Sequence, residues 1–298
     1  MKRKIIKQGS GGLTIYLPKK WADQKGICNG DEVDVKEKPD GLFIIPEKIK
    51  KEKRNLTIKV KKTRESALRT VLVNAYRAGF DNILLEYDGE KKEVNTIVQT
   101  FLLGCDVFQN QEGKYSIENM SEPAIENFEN ILIKQLYLLE EVLANVLIKD
   151  IVDETHKIQK YDHFLKRCLS KEVYTDPGKF FISQFLSHIT QTARLCLHFQ
   201  KQLGLCQKKI ENDRFLEEIF QTIRGMSLFL KRAYLKQDVS FLREMHEADE
   251  RILKKKDQLL NGKNTMIAHQ LLLIERSLYL TNSPLMGLLH IRSFQPKS

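Results

Sequence analysis

Apolar and polar positions along the chain follow two periods in turn, and the change of period divides it. Near the N-terminus the period is two. Ile5 and Ile6 mark a first strand, and Leu13, Ile15 and Leu17 share one face of a second, Leu13–Leu17, with Thr14 and Tyr16 on the other. Pro18 suits the first position of a short helix, and Gly26 suits its end. Glu32–Lys36 and Leu42–Ile45 read as two more strands about the Pro39-Asp40-Gly41 turn. A charge-dense linker, residues 47–54, follows. Leu56, Ile58 and Val60 then alternate as a strand. Thr63 is placed to cap a helix carrying Ala67, Leu68, Val71, Leu72 and Ala75 up to Gly79. Strand Ile83–Glu86, a helix with Val94, Ile97, Val98, Phe101 and Leu102, and strands Cys105–Phe108 and Lys114–Ile117 complete a βαβαββ unit.

From Ser121-Glu122-Pro123 onward the period is near 3.6. Six helices are expected, over 123–146, 149–171, 177–205, 210–237, 238–261 and 264–290. Breaks fall at Asp176-Pro177-Gly178, near Gly204 and at Asn261-Gly262. Short connections make neighbours antiparallel, and six helices divide into two three-helix halves. A shift of 90 residues pairs Glu154 with Glu244, His156 with His246, Lys166 with Lys256 and Leu169 with Leu259. The expected fold is therefore multidomain α+β: residues 1–47 a β-domain, 55–120 a small α/β connector, 121–298 a helical bundle.

Composition excludes some classes. At 298 residues, 42% hydrophobic and 30% charged, the chain reads as globular. Lys134 and Glu275-Arg276 interrupt its longest apolar stretches, so no membrane insertion is expected. The basic start MKRKIIKQGSGG lacks the apolar core of a secretory signal, and the expected location is the cytoplasm. Five cysteines form no CxxC pair, which suits a reducing compartment. No phosphate-loop glycine pattern, nucleophile–base spacing, HxxxH or HExxH occurs, so the chain is not expected to be an enzyme. Asp162 and Lys166 read as an ordinary helical ion pair.

Charge sharpens the picture. Of the net +10, residues 1–25 carry seven Lys/Arg and one acid, whereas residues 26–54 carry seven of each. A basic arm interleaved with apolar residues is the electrostatic footprint of nucleic-acid binding. About 45 residues cannot bury enough surface to be stable alone, so a partner chain is expected.

The stretch GSGGLTIYLPKKWADQKGICNGDEVDV, residues 9–35, resembles the SpoVT/AbrB swapped-hairpin DNA-binding fold, in which "LPK" followed by "G…GDEV" recurs. The resemblance implies an interleaved homodimer on double-stranded DNA. The DNA-facing residues it implies are Lys2, Arg3, Lys4, Lys7, Gln8, Ser10, Thr14, Lys19 and Lys20. The lysines would meet phosphates, while Arg3, Gln8 and Thr14 would reach base edges. Trp21 reads as a packing anchor. The same fold carries antitoxins, which add only a short tail.

The helical part, through HKIQKYDHFLKRCL (156–169) and HEADERILKKKDQLL (246–260), resembles PhoU, the phosphate-uptake regulator. Archaeal-type proteins join the two parts. That resemblance implies a regulator of phosphate uptake with the bundle as sensor or relay. The alternative is an adaptor docking on a phosphate ABC transporter or its regulator, the N-terminal domain serving dimerisation. PhoU proteins bind divalent, iron or zinc ions through E/D-x-x-x-D pairs. Here Asp150 with Glu154 keeps the spacing, and Asp249 is the candidate in the second half.

Overall fold

A computed structural model of the chain describes residues 3–9, 11–38, 41–46, 53–120, 126–171, 178–204 and 207–294. The fold is α+β, and it divides into two compact units, Met1–Lys53 and Arg54–Ser298.

The first unit consists of two hairpins and a short helix. Strands β1 (Ile6–Gln8) and β2 (Gly12–Thr14) pair antiparallel. β2 stops well short of the expected Leu17. Helix α1 spans Lys19–Lys25, with Pro18 just before it in extended backbone rather than at its first position. Gly26 ends it at φ 63°, a left-handed conformation glycine adopts without strain. There the Ile27 N–H reaches the Ala22 carbonyl at 2.9 Å. Strands β3 (Val33–Lys38) and β4 (Gly41–Pro46) form the second hairpin. Among the residues of this unit whose side chains are described, not one is buried.

The second unit begins with the expected βαβαββ order. Strand β5 (Asn55–Val60), helix α2 (Glu65–Arg77), strand β6 (Asn82–Tyr87), helix α3 (Lys91–Phe101) and strands β7 (Cys105–Gln111) and β8 (Lys114–Asn119) follow in turn. The sheet order is β5-β6-β8-β7, with β5 and β6 parallel and the other pairs antiparallel. Period-two alternation puts Ile83, Leu85, Tyr87, Tyr115 and Ile117 under Leu68, Leu72, Ile97 and Val98 of the two helices. On the opposite face Lys59, Leu84 and Phe108 are exposed and Glu86 is half-buried, whereas Ser116 of β8 is buried. Thr63 is not the cap of α2: Arg64 holds the N-cap position and makes no side-chain cap bond.

The helices are α4 (Glu126–Asn145), α5 (Val152–Ser170), α6 (Lys179–Leu203), α7 (Gln207–Glu211), α8 (Arg214–Lys236), α9 (Ser240–Lys254), α10 (Lys256–Leu260), α11 (Thr265–Tyr279) and α12 (Asn282–Phe294). They share one apolar core. α4, α5 and α6 pack on one another, as do α8, α9 and α11, and α6 against α11 joins the groups. The expected helix over 264–290 is broken. Pro284 has no N–H to donate back to Leu280, so α11 ends and α12 restarts at Asn282. The helix expected over 238–261 also breaks, at Lys255. A shift of 87 residues also relates α5 to α9. Buried Thr155, Ile158, Asp162 and Leu165 of α5 correspond to buried Leu242, Met245, Asp249 and Ile252 of α9, which lays acid on acid, 87 residues apart.

α2 and α3 both pack against α5, which seats the sheet-and-helix part on the bundle. Among the described residues no helix is long and apolar enough to cross a membrane. Cys168 and Cys196 are buried, Cys105 is half-buried and Cys28 is exposed.

Candidate nucleic-acid interface

The N-terminal candidates lie on short elements whose register fixes their facing. β1 and β2 pair Lys7 with Leu13 and Ile6 with Thr14. Side chains alternate along each strand, so Lys7 and Thr14 project from opposite faces of this hairpin. Arg3, Lys4, Lys7, Lys19 and Lys20 are exposed, and Thr14 is half-buried. Lys2 and Ser10 fall outside the described residues, and of Gln8 only the backbone is described. Lys19 and Lys20 occupy the first turn of α1, where no acidic residue offsets them. Cations at this end of a helix are disfavoured by its dipole. Contact with a polyanion would relieve that cost. Asp31 fixes the turn into β3 by accepting the Cys28 N–H at 2.8 Å.

Apolar side chains stand among these cations. Ile5, Ile6, Leu13, Ile15, Tyr16, Val35, Leu42 and Phe43 are all exposed, Leu13 by 74%. Trp21 is half-buried, in keeping with a packing role. Eight bare apolar side chains, with no buried residue among those whose burial is described, leave this unit short of a core of its own. Its surface asks for another chain.

Residues 6–54 match the family model for antidote-toxin recognition MazE, a bacterial antitoxin. The match takes in both hairpins and α1, and it supports the swapped-hairpin resemblance for this part of the chain. No curated protein and no solved structure matches.

The candidate metal residues do not converge. Asp150 accepts the Val152 N–H at 3.0 Å at the head of α5, and Glu154 pairs with Lys149 at 3.2 Å. Asp249 lies buried on α9. Among the described residues no group of three or more His, Cys, Asp or Glu could hold a metal ion. Asp249 instead meets Glu275 of α11. Burial first, and the hydrogen bond and charge of Asp249 next, push the Glu275 carboxyl up to about 8. Its Oε1 and the Asp249 Oδ1 have no hydrogen-bond partner among the described residues.

Sequence reasoning missed this pair and a second buried cluster. Asp162 is fully buried, not half of a solvated pair. It accepts from Arg77 at 2.7 Å and lies 2.8 Å from the Lys166 ammonium. Burial alone would raise its carboxyl, but His163, Lys166 and Arg77 outweigh that and hold it below the usual range. The available signal was positional. Glu275 stands four residues from Leu271, and Asp162 four from Ile158, each on a face that packs inward.

Proposed function

We propose that the chain is a DNA-binding transcriptional regulator that acts as a homodimer through residues 1–47. Residues 54–298 would serve as its sensing or relay module. The observation that carries this reading is the coincidence, in one small unit, of exposed basic residues, unburied apolar residues and the MazE match. Two interleaved copies would bury the apolar set and double the phosphate contacts about a two-fold axis. The chain would act by binding and not by catalysis. Toxin recognition, which the matched family's description names, is the weaker reading, because residues 54–298 form a compact unit rather than a short tail.

Control of phosphate uptake is the specific process we propose. The grouping of helices into two sets of three and the acid-on-acid register of α5 and α9 support the PhoU resemblance behind it. The same grouping favours a second reading, an adaptor docking on a phosphate transporter. One experiment separates them. Purified full-length protein is offered its own genomic fragments at two salt concentrations, with a random duplex of equal length as competitor. Enrichment of discrete sites near phosphate-transport genes, lost when Arg3, Lys19 and Lys20 become Ala, is the expected result. Unselective binding that vanishes at moderate salt and ignores those changes would overturn the regulator and leave the adaptor.

A further inference from the structure

The net charge of +10 is not spread along the chain. Residues 65–298 carry 31 Lys/Arg and 31 Asp/Glu, so they are neutral. The whole excess sits in residues 1–64, which hold 18 basic and eight acidic residues. Its densest part lies beyond the matched unit's hairpins. Residues 48–64 hold nine Lys/Arg and one Glu, and residues 53–64 hold six and none.

The structure puts the end of this run on an ordered edge. β5 is one of the two edge strands of its sheet. Lys59, Lys61, Lys62 and Arg64 are all exposed at its C-terminal end and in the loop into α2. Lys59 is matched by Glu86 at 2.8 Å. The side chains of Lys61, Lys62 and Arg64 make no ion pair or hydrogen bond with any described residue. Their loop is nonetheless held. The Tyr87 hydroxyl donates to Glu93 at 2.6 Å and lies close to the Thr63 backbone N–H. Arg64 opens the 13-residue helix α2 in extended backbone without a side-chain cap. Three cations with no partner among the described residues therefore stand exposed on one loop, beside Glu65 in the first turn of α2.

We propose that Lys61, Lys62 and Arg64 form a second DNA contact, to the phosphate backbone, which extends the footprint of the N-terminal unit. The inference rests on the DNA-binding reading above. Eight residues, 47–54, separate β4 from β5. Fully extended, they reach at most about 30 Å, close to one turn of duplex. DNA is favoured over an anionic membrane because the run continues from the N-terminal unit and Lys61–Arg64 include no large apolar residue to insert. The contact uses the outside of the loop. The adjoining cleft of about 400 Å³ is lined by the Glu86 and Asp88 carboxylates as well as Lys59 and Lys61, and those acids repel a phosphate. Lysine and arginine at fixed backbone positions add affinity and register without reading bases.

The test uses the full-length chain and the DNA site selected in the experiment above. Affinity is measured against salt concentration for the wild type, for the triple variant Lys61→Gln, Lys62→Gln, Arg64→Gln, and for the control Lys91→Gln, Lys92→Gln. Each lost phosphate contact lowers the log–log salt slope by about 0.9. The triple variant is expected to lose about 2 to 5 of slope per dimer and on the order of ten- to a hundredfold in affinity. It should keep the wild-type preference for the selected site and the wild-type unfolding curve, and its DNase footprint should shorten. The control should match the wild type. If the wild type binds selectively and the triple variant binds with the same slope and footprint, the second contact is wrong and the regulator stands. Loss of site preference in a normally folded triple variant would overturn the backbone role. A wild type that fails to bind DNA at all would overturn both.

Discussion

At the scale of single residues, the Asp249–Glu275 contact is where chemistry departs most from expectation. An isolated carboxylate is rarely buried, and two together cannot both ionise cheaply. Glu275 is 2% exposed and Asp249 4%, so water does not share the cost. Arg276 is the nearby cation, and it offsets only part of the shift. Glu275 therefore holds its proton in the folded chain to about pH 8, against an ordinary value of 4.5. Its contribution to stability is complete below pH 4.5 and is lost as pH rises to 8. Glu275→Gln removes the proton but keeps the shape and a donor. The variant's stability relative to wild type should climb by roughly 1 kcal/mol per pH unit across that window and level off above it. Urea titrations at pH 5, 6.5 and 8.5 read the difference directly, and a difference that does not change with pH would sink the protonated assignment. Nothing in the linear pattern announces this pair. The acid in LLLIERSLYL is visible, but which helix supplies its neighbour depends on tertiary packing.

At the scale of elements, α5 decides how the sheet-and-helix part meets the bundle. Arg167, 1% exposed, donates to the carbonyls of Tyr76 at 3.1 Å and Phe80 at 2.6 Å and to Asp81 at 2.7 Å. Its guanidinium also lies over the Tyr76 ring, 4.9 Å from the centroid. Lys171 pairs with the same Asp81. Burial would raise the Asp81 carboxyl, yet Lys171, the Arg54 N–H and Arg167 together hold it below the ordinary range. Truncating Arg167 strands buried acceptors, a loss of about 3 kcal/mol or more. Arg167→Ala should lower the urea midpoint accordingly. Arg167→Lys should recover only part, since an ammonium cannot span the same fork of acceptors. Equal midpoints for wild type and Arg167→Ala would show that the seam carries no stability. Element type was legible wherever a period ran long enough. The alternation of β5 and the helical spacing of α2 and α3 stand as expected. Element ends were less legible, because β2, the α11–α12 break and the cap of α2 turn on single bonds. Pro284 was the one visible warning.

At the scale of the whole molecule, the exposed apolar surface of the first unit bears on the proposed dimer. Leu13 and Leu42 are 74% and 68% exposed, and burying one such side chain is worth about 2 kcal/mol. Two copies that cover eight apolar side chains each would gain enough to hold together at low concentration, whereas charges placed there would have to be desolvated for nothing. Ile15→Glu with Leu42→Glu should therefore turn a dimer into a monomer by light scattering. It should also abolish selective DNA binding while Arg3, Lys19 and Lys20 remain in place, because half-sites are read only by a pair. Since residues 54–298 form a separate compact unit, their thermal transition should not move. That unmoved transition distinguishes lost assembly from general misfolding. A wild type that is monomeric at micromolar concentration would refute the interleaved dimer outright. The sequence already pointed to this requirement, through too few core candidates over too short a stretch. The seam between α2 and α5 was illegible for the opposite reason, since its partners lie some 85 residues apart and each looks like an ordinary surface charge until the chain folds.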